Sequence, residues 1–287
     1  MSYLYSKSPR NIEWKAWSMA VAIGAVALFG AGCDSGERDS EQQAVESEEV
    51  ETQDENGPES EDVLEMEPPS LTTYGELRQI NLEEDYSPSV ELVDAMGGES
   101  RMTHAVGALG ELGGEITVWD DALYLGHAGE EPTFEEVSVD DVAGELDATI
   151  LFGASVTQWT DVDLADARDL ASLQEYLGQW RDEEGVDAAL PFRITDPEAS
   201  VHWHVVDGER IPEGGANSCD ERKDYAHQFD TDGQPVRVAG LFTTEHTGVV
   251  VDHTTSIHAH VITDDGESGH IDELQLSDDA ELEVAVQ

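Results

Sequence analysis

The sequence predicts an α+β fold that is rich in β-strands, with mixed or antiparallel sheets, a hairpin that contains histidines and one main amphipathic helix. Short β-branched runs recur between turns rich in glycine and aspartate, which is typical of strands. A single clear stretch, about 166–181, has apolar residues at helical spacing. An alternating run at 256–263 is followed by Asp265-Gly266, a signal for a hairpin turn.

Residues 1–33 have the pattern of an export signal. Basic residues precede an apolar stretch, 17–29, that is too short to span a membrane comfortably. The four residues that end in Cys33 (Gly-Ala-Gly-Cys) resemble a bacterial lipobox, although glycine stands where leucine is usual. We therefore expect an exported protein that a lipid on Cys33 alone attaches to a membrane, on the periplasmic or cell-surface side. An ordinary signal peptide with a chance cysteine is the alternative.

The next segment, 34–69, predicts an acidic, disordered tether. It has many charged residues and few large apolar ones, so it cannot bury enough surface to offset the entropy of ordering. The remainder, 70–287, is long enough to form a large domain or two small ones. We interpret 70–287 as the functional domain, which the tether holds away from the membrane.

The charge balance excludes some partners. The chain has 65 acidic residues against 13 lysines and arginines, a formal net charge of -52. Nucleic-acid binding is therefore not expected, because phosphate contacts require basic patches. Such acidity is typical of a halophilic surface, since at 1 M salt the Debye length falls to about 3 Å and self-repulsion is tolerable. If Cys33 is lipidated, Cys219 has no cysteine partner, and no disulfide is expected.

The predicted elements follow one another through the domain. Residues 103–125 predict two or three strands separated by glycine turns, and 148–156 predict a buried strand. The stripe in the helix at 166–181 predicts core packing. A short helix and the remaining strands are predicted at 91–96, 192–194, 201–206, 236–242, 248–251 and 282–286.

Several polar residues in these elements are candidate site residues. Glu115 follows Gly113-Gly114, a pair that allows close backbone approach, although a glutamate at the start of a strand is usually solvated. Arg193 lies among apolar residues, which favours a structural salt bridge or, alternatively, a substrate carboxylate. His202 and His204 share a strand face, so they are either edge histidines or part of a pocket.

The hairpin at 256–271 predicts a metal site. His258 and His260 are two residues apart, so their side chains share a face of the strand. A loop at 264–266 places His260 opposite His270, with their Cβ atoms about 5 Å apart. Three imidazoles then converge, which suits a three-histidine metal site with an open coordination position. Half-exposed strand histidines on an acidic surface are the alternative.

Three segments resemble α-acetolactate decarboxylases: the glycine-punctuated 107–120, the middle strand 189–194 and, most specifically, the histidine hairpin 257–271. The likeness spans about 102–283. The resemblance implies that zinc binds His258, His260 and His270, and that Glu115 completes the surroundings of the metal, as a further metal residue and as a catalytic residue. The implied reaction converts 2-acetolactate, a small 2-hydroxy-3-keto acid, to acetoin and carbon dioxide. A homodimer is one option for its assembly.

The sequence departs from the family at a catalytic arginine. The strand that corresponds to the family's arginine-bearing strand, 201–206, offers His204 and no arginine. His204 and Arg193 are the candidates for its role, although histidine lacks the bidentate fork that grips a carboxylate.

Three functions are compatible with the sequence. The first is a zinc-dependent decarboxylase. The second is a non-catalytic metal- or ligand-binding lipoprotein on the same fold, which the missing arginine and the pair His202 and His204 favour. A cupin-like metal enzyme ranks last, because no glutamate follows His260 at the usual spacing. A serine hydrolase is not supported, since the sequence has no Gly-x-Ser-x-Gly motif.

Overall fold

In the computed structural model, the described residues are 68–77, 89–97, 101–120, 122–142, 146–212 and 222–286, and their strands form two antiparallel sheets. The predicted β-rich α+β class is confirmed. The predicted signal, the lipidation site Cys33 and nearly all of the tether lie outside the described residues and stay predictions. Within the described ranges, no helix has the length and apolar character needed to cross a membrane.

The first sheet has strand order β1-β7-β3-β4-β5-β6, with β2 paired to β7. Strands β3 to β6 form a meander in which each strand pairs with the next, so the predicted strands in 103–125 are confirmed. The bounds are β1 Thr72–Tyr74, β2 Val90–Glu91, β3 His104–Leu109, β4 Gly114–Trp119, β5 Ala122–His127, β6 Thr133–Ser138 and β7 Asp147–Ala154.

The second sheet contains a closed ring of pairings. β9 pairs with β10, β10 with β11, β11 with β12, and β12 again with β9. β13 pairs with the first half of β9, and β8 pairs with β13. The bounds are β8 Gln158–Val162, β9 Leu190–Val205, β10 His227–Phe242, β11 Ile257–Thr263, β12 Ser268–Gln275 and β13 Glu281–Val286.

Strand β9 corrects the predicted division into two short strands. It runs without interruption for 16 residues and includes Pro197, which has no N–H to donate. The pairing with β10 changes register between Thr231 and Val236, opposite Pro197. The proline therefore lies at a bulge, where a strand tolerates a residue that cannot join the ladder.

The segment 248–251 is a turn, so the predicted strand there was wrong. The backbone N–H groups of Val249 and Val250 both donate to the carbonyl of His246. Val250 and Val251 are buried because they pack between the two sheets, next to Ala239 and Leu241. Their apolar character comes from this packing, and an apolar run of this length does not distinguish a strand from a buried turn.

The main helix is Leu170–Glu184, which begins later than the predicted 166. Asp169 caps it by accepting a hydrogen bond from the Ser172 backbone N–H at 2.8 Å, and Ser172 completes a capping box. Leu173 and Leu177 are fully buried against the second sheet, which confirms the predicted core stripe. The short helix Leu92–Ala95 lies within the predicted 91–96.

The two sheets face each other across an apolar layer. Val106 and Phe152 of the first sheet contact Ala239 and Leu241 of the second. Side chains of β4 reach β11 in the same interface, since Thr117 is hydrogen-bonded to His260. The candidate site therefore lies between the sheets.

Candidate metal centre

The histidine hairpin has the predicted register. His260 lies directly opposite His270 in the pairing of β11 with β12. The Thr263 N–H donates to the Glu267 carbonyl at 2.9 Å, and the three-residue loop closes at Gly266, whose φ of 82° is left-handed. Glycine adopts this conformation without steric cost, so the loop fixes which residues face each other.

The three hairpin histidines converge. Each of His258, His260 and His270 offers a ring nitrogen, and these atoms all lie within 4.8 Å of one another. The ring centroids are 4.8 Å apart for His258 and His270, 5.3 Å for His258 and His260, and 5.5 Å for His260 and His270. Three imidazole nitrogens at such spacing can bind one metal ion.

Hydrogen bonding selects the ring nitrogen that His258 offers. Its Nδ1 lies 2.8 Å from the carbonyl oxygen of Val250. Because a carbonyl only accepts, Nδ1 is the protonated nitrogen and Nε2 keeps its lone pair. The turn that replaces the predicted strand therefore orients a candidate ligand.

A chain of hydroxyl groups fixes His260 in the same way. Ser268 Oγ donates to the Val261 carbonyl at 2.8 Å, so Thr117 Oγ1 must donate to Ser268 Oγ at 2.7 Å. Thr117 Oγ1 then accepts from His260 Nδ1 at 3.0 Å. Each hydroxyl has one proton to give, so the carbonyl at the end of the chain determines every donor. His260 Nε2 is left unprotonated.

The surroundings of His260 Nε2 show whether the site fits a metal ion. His260 is fully buried, and none of the described residues gives its Nε2 a hydrogen bond. Buried polar atoms are normally satisfied, and one that is not indicates a missing partner. A metal ion would satisfy this lone pair together with those of His258 and His270, so the residues present fit a metal ion.

Burial keeps the three imidazoles in the form that binds metals. It lowers the pKa of His258 to about 4 and lowers the pKa of His260 and of His270 well below the usual range. The neighbouring imidazoles act in the same direction, since each disfavours charge on the others. Neutral imidazole is the ligand form, so no proton has to leave before a metal binds near neutral pH.

Glu115 lies beside the histidine group rather than within it. It is 5% exposed, and its Oε2 is 3.7 Å from His260 Nε2. Its Oε1 accepts a hydrogen bond from the Val206 N–H at 3.1 Å. Burial raises the pKa of Glu115 to about 8 against the opposing effect of that hydrogen bond, so the carboxyl is mostly protonated at neutral pH.

His204 lies next to the hairpin histidines. Its ring centroid is 5.0 Å from that of His270, and its Nδ1 donates to Asp272 Oδ2 at 2.6 Å. Lys223 Nζ is 2.9 Å from the other oxygen of Asp272. Burial alone would raise the pKa of Asp272, but His204 and Lys223 together hold it below the ordinary value.

A cavity of about 260 Å³ opens onto this group. Polar side chains of its wall include Glu115, His204, His258, His270 and Asp272. Apolar residues of both sheets and of the 248–251 turn also line the cavity, together with Asp252. A small organic molecule that enters the cavity would meet the candidate ligands directly.

Arg222 and Lys223 also line the cavity, and neither was predicted as a site residue. A usable signal was present, because they are the only two adjacent basic residues in the whole sequence. Asp272 was missed as well. It stands two residues after His270, and nothing in its local pattern distinguishes it from the many surface aspartates.

Two predicted site residues lie elsewhere. Arg193 forms a bidentate ion pair with Glu283, with Nη2 and Oε1 3.0 Å apart, and stacks over Trp159. The salt-bridge alternative is therefore what the structure shows, and Arg193 does not line the cavity. His202 pairs with Asp230 at the surface, so of the two strand histidines only His204 lines the cavity.

No protein-family model and no curated protein matches the sequence. Among solved structures, the chain is similar to a Staphylococcus aureus protein of unknown function that itself resembles α-acetolactate decarboxylase, with a TM-score of 0.54 and 15% identity over 76% of this chain and 86% of that chain. It is also similar to α-acetolactate decarboxylase from Bacillus subtilis strain 168, with a TM-score of 0.57 and 14% identity over the same shares.

At these identities the likeness concerns the fold alone. A third structure, acetolactate decarboxylase from Bacillus subtilis subspecies spizizenii, gives the same values as strain 168. The chain therefore has a fold like that of α-acetolactate decarboxylases and a three-histidine group that fits a metal ion. The predicted resemblance is confirmed at the level of the fold.

Proposed function

We propose that this protein is a zinc-dependent decarboxylase of a small 2-hydroxy-3-keto acid, with 2-acetolactate as the substrate. The observation that carries the proposal is the convergence of three imidazole nitrogens beside Glu115, next to a cavity that His258 and His270 line. His258, His260 and His270 would hold the metal. The likeness to acetolactate decarboxylases supports the same choice of reaction.

The proposed reaction breaks one carbon–carbon bond. The bond between the carboxylate and the carbon that bears the hydroxyl group breaks, carbon dioxide leaves, and the electron pair remains on the carbon skeleton. A proton then restores a neutral hydroxyketone. A zinc ion bound by the three histidines would supply Lewis acidity for the oxygen that receives the electron pair.

Glu115 is the residue that we assign to the proton transfer. Its carboxyl is fixed by the hydrogen bond from Val206, and its second oxygen faces the histidine group. Burial favours the protonated form in the metal-free protein, and a carboxyl fixed beside the histidine group is placed to exchange a proton with a substrate there. His204 is a positioning residue in this proposal, because Asp272 holds its ring against His270.

The test combines metal content with acetoin release from 2-acetolactate in high salt. We expect the wild type to hold a single equivalent of zinc and to produce acetoin, and His260→Ala to lose both. His202→Ala is the matched control, since His202 lies at the surface. Glu115→Gln should keep the metal and lose activity by about 10²- to 10⁴-fold, because it cannot donate the proton.

The other outcomes separate the competing functions. Zinc without acetoin would favour a non-catalytic metal- or ligand-binding protein on the same fold. Loss of zinc in His202→Ala but not in His260→Ala would move the metal site elsewhere. The absence of zinc from the wild type would overturn the proposal.

A further inference from the structure

The loop that joins β10 to β11, residues 243–256, forms part of the cavity wall. Val250, Val251 and Thr255 of this β10–β11 loop line the cavity. The ends of the loop are joined, because the Thr243 N–H donates to the Ser256 carbonyl at 2.9 Å. A compact loop with joined ends can hold its backbone groups in fixed positions.

The backbone of this loop fixes the orientation of His258. The Val250 carbonyl oxygen lies 2.8 Å from His258 Nδ1, and the ring of Phe152 packs edge-on against the imidazole with centroids 5.8 Å apart. A hydrogen bond to the nitrogen that does not bind the metal sets the tautomer and the ring direction of a histidine ligand. Because substitution cannot remove a backbone carbonyl, its position depends on the contacts that hold the loop.

Hydrogen bonds on both sides of Val250 make the turn around it a unit. The Val250 N–H donates to the His246 carbonyl at 2.9 Å, and the Gly248 N–H donates to the Val251 carbonyl at 2.7 Å. The Leu77 N–H donates to the Val249 carbonyl at 3.1 Å. The carbonyl that orients His258 therefore moves with the turn as a whole, and a shift at the ends of the loop displaces it.

The main helix holds both ends of the loop. Gln174 Oε1 accepts a hydrogen bond from the Ser256 N–H at 2.6 Å and lies 3.1 Å from Thr255 Oγ1. Arg181 donates to Thr244 Oγ1 at 2.9 Å and to a carboxylate oxygen of Glu245 at 3.0 Å. Gln174 and Arg181 are about two helical turns apart, so they lie on the same face of the helix.

We propose that Gln174 is a positioning residue for the metal ligand His258. Its amide oxygen holds the end of the β10–β11 loop, so that the Val250 carbonyl keeps the His258 ring in the direction and tautomer that leave Nε2 for the metal. Arg181 holds the start of the same loop and supports this role. The inference rests on the proposed function for the presence of a metal ion, and it does not require that the reaction is a decarboxylation.

The first measurement is the zinc affinity of Gln174→Met, by competition with a chromophoric chelator. Methionine has a similar length but no strong acceptor, so the affinity should fall about tenfold, at the lower end of the range for groups that orient a metal ligand. Gln174→Glu keeps an oxygen that accepts both hydrogen bonds and should keep the affinity. Gln179→Met is the matched control, since Gln179 is exposed on the same helix.

Two spectroscopic measurements separate the orientation of His258 from general stability. The visible spectrum of the protein loaded with Co²⁺ reports the geometry of the ligands and should change in Gln174→Met. Nitrogen NMR of the metal-free proteins should show His258 protonated at Nδ1 in the wild type and in Gln174→Glu, and a mixture of tautomers in Gln174→Met. A residue that only stabilised the fold would change the melting temperature and neither spectrum.

The outcomes also distinguish this inference from the proposed function. Unchanged zinc affinity and an unchanged cobalt spectrum in Gln174→Met would overturn the inference, even if the wild type makes acetoin. An equal loss of affinity in Gln179→Met, or a loss that Gln174→Glu does not restore, would overturn it as well. A loss that Gln174→Glu restores, in a protein that makes no acetoin, would support the inference and overturn the decarboxylase.

Discussion

Individual hydroxyl groups decide whether the histidines can act as ligands. His260 belongs to the second sheet, but the hydroxyl that fixes its protonation state comes from Thr117 on β4 of the first sheet. Glu115 and Thr117 are two residues apart on β4, so both face the hairpin. Strand β4 thus provides Glu115, which lies beside the histidine group, and Thr117, which orients the candidate ligand His260.

We predict that Thr117→Val weakens metal binding by about 10- to 100-fold, as is typical for the loss of a group that orients a metal ligand. The change removes the acceptor of the His260 Nδ1 proton and the donor to Ser268. The buried His260 Nδ1–H then lacks its acceptor, which should also cost about 1–3 kcal/mol of unfolding free energy. Competition with a chromophoric zinc chelator measures the affinity.

The matched control is Thr149→Val. Thr149 is 2% exposed, and its hydroxyl donates to the Leu109 carbonyl at 3.0 Å, outside the histidine group. The Thr149→Val protein should lose a similar amount of unfolding free energy and keep its metal affinity. Wild-type affinity in Thr117→Val would show that the hydroxyl chain does not determine the protonation state of His260.

The histidine hairpin is paired with the long strand β9 through β12. β12 pairs with β11 through His270 and Gly269, and His270 also pairs with His204 of β9. A Cβ at Gly269 would collide with the carbonyl oxygen of His204 and the ring of Trp203. The close approach of β12 to β9 therefore depends on the absence of a side chain at this position.

We predict that Gly269→Ala costs about 1–3 kcal/mol of unfolding free energy, since overpacking forces the two strands apart. His270 is the next residue along the chain, so metal affinity should fall as well. Thermal unfolding measured with and without zinc tests both effects, because a bound metal stabilises the folded state according to its affinity.

Gly266→Ala provides the control within the same hairpin. Gly266 has a φ of 82°, and no atom lies within 4 Å of an added Cβ. The substitution should cost about 1 kcal/mol through backbone strain. It should leave metal affinity unchanged, because it does not alter the packing of β12 on β9. Equal losses of affinity in both variants would indicate that the hairpin loop, not the approach to β9, sets the site.

The charge of the whole molecule affects its stability more than any single pair does. A formal net charge of -52 on 287 residues produces repulsion that folding intensifies, because it brings the acidic side chains together. Surface ion pairs such as that of Arg168 with Asp278 offset little of this repulsion. Salt screens it, and at 1 M the Debye length is about 3 Å.

We predict that the melting temperature rises as sodium chloride increases from about 0.1 M to 1 M, over which the Debye length falls from about 10 Å to 3 Å. Sucrose at equal osmolality is the control, since it strengthens burial without screening charge. Differential scanning calorimetry of the purified protein measures the shift. A melting temperature that rises with sucrose but not with chloride would contradict the electrostatic explanation.

The fold class and the centre of the site could be predicted because both depend on local patterns. Alternation with a period of two identified most strands, and loop length set His260 opposite His270. The capping pair Asp169 and Ser172 is also local, although the predicted helix began too early. The prediction failed at 248–251, where an apolar run packs as a turn.

By itself, the sequence determined the histidine hairpin and the β-rich class, because neighbours along the chain and across a short loop are related by fixed geometry. The tertiary structure alone decided which residues surround the hairpin. Thr117 and His260 are separated by 143 residues, and Glu115 and Val206 by 91. No local period relates such pairs, so the packing of one sheet on the other had to bring them together.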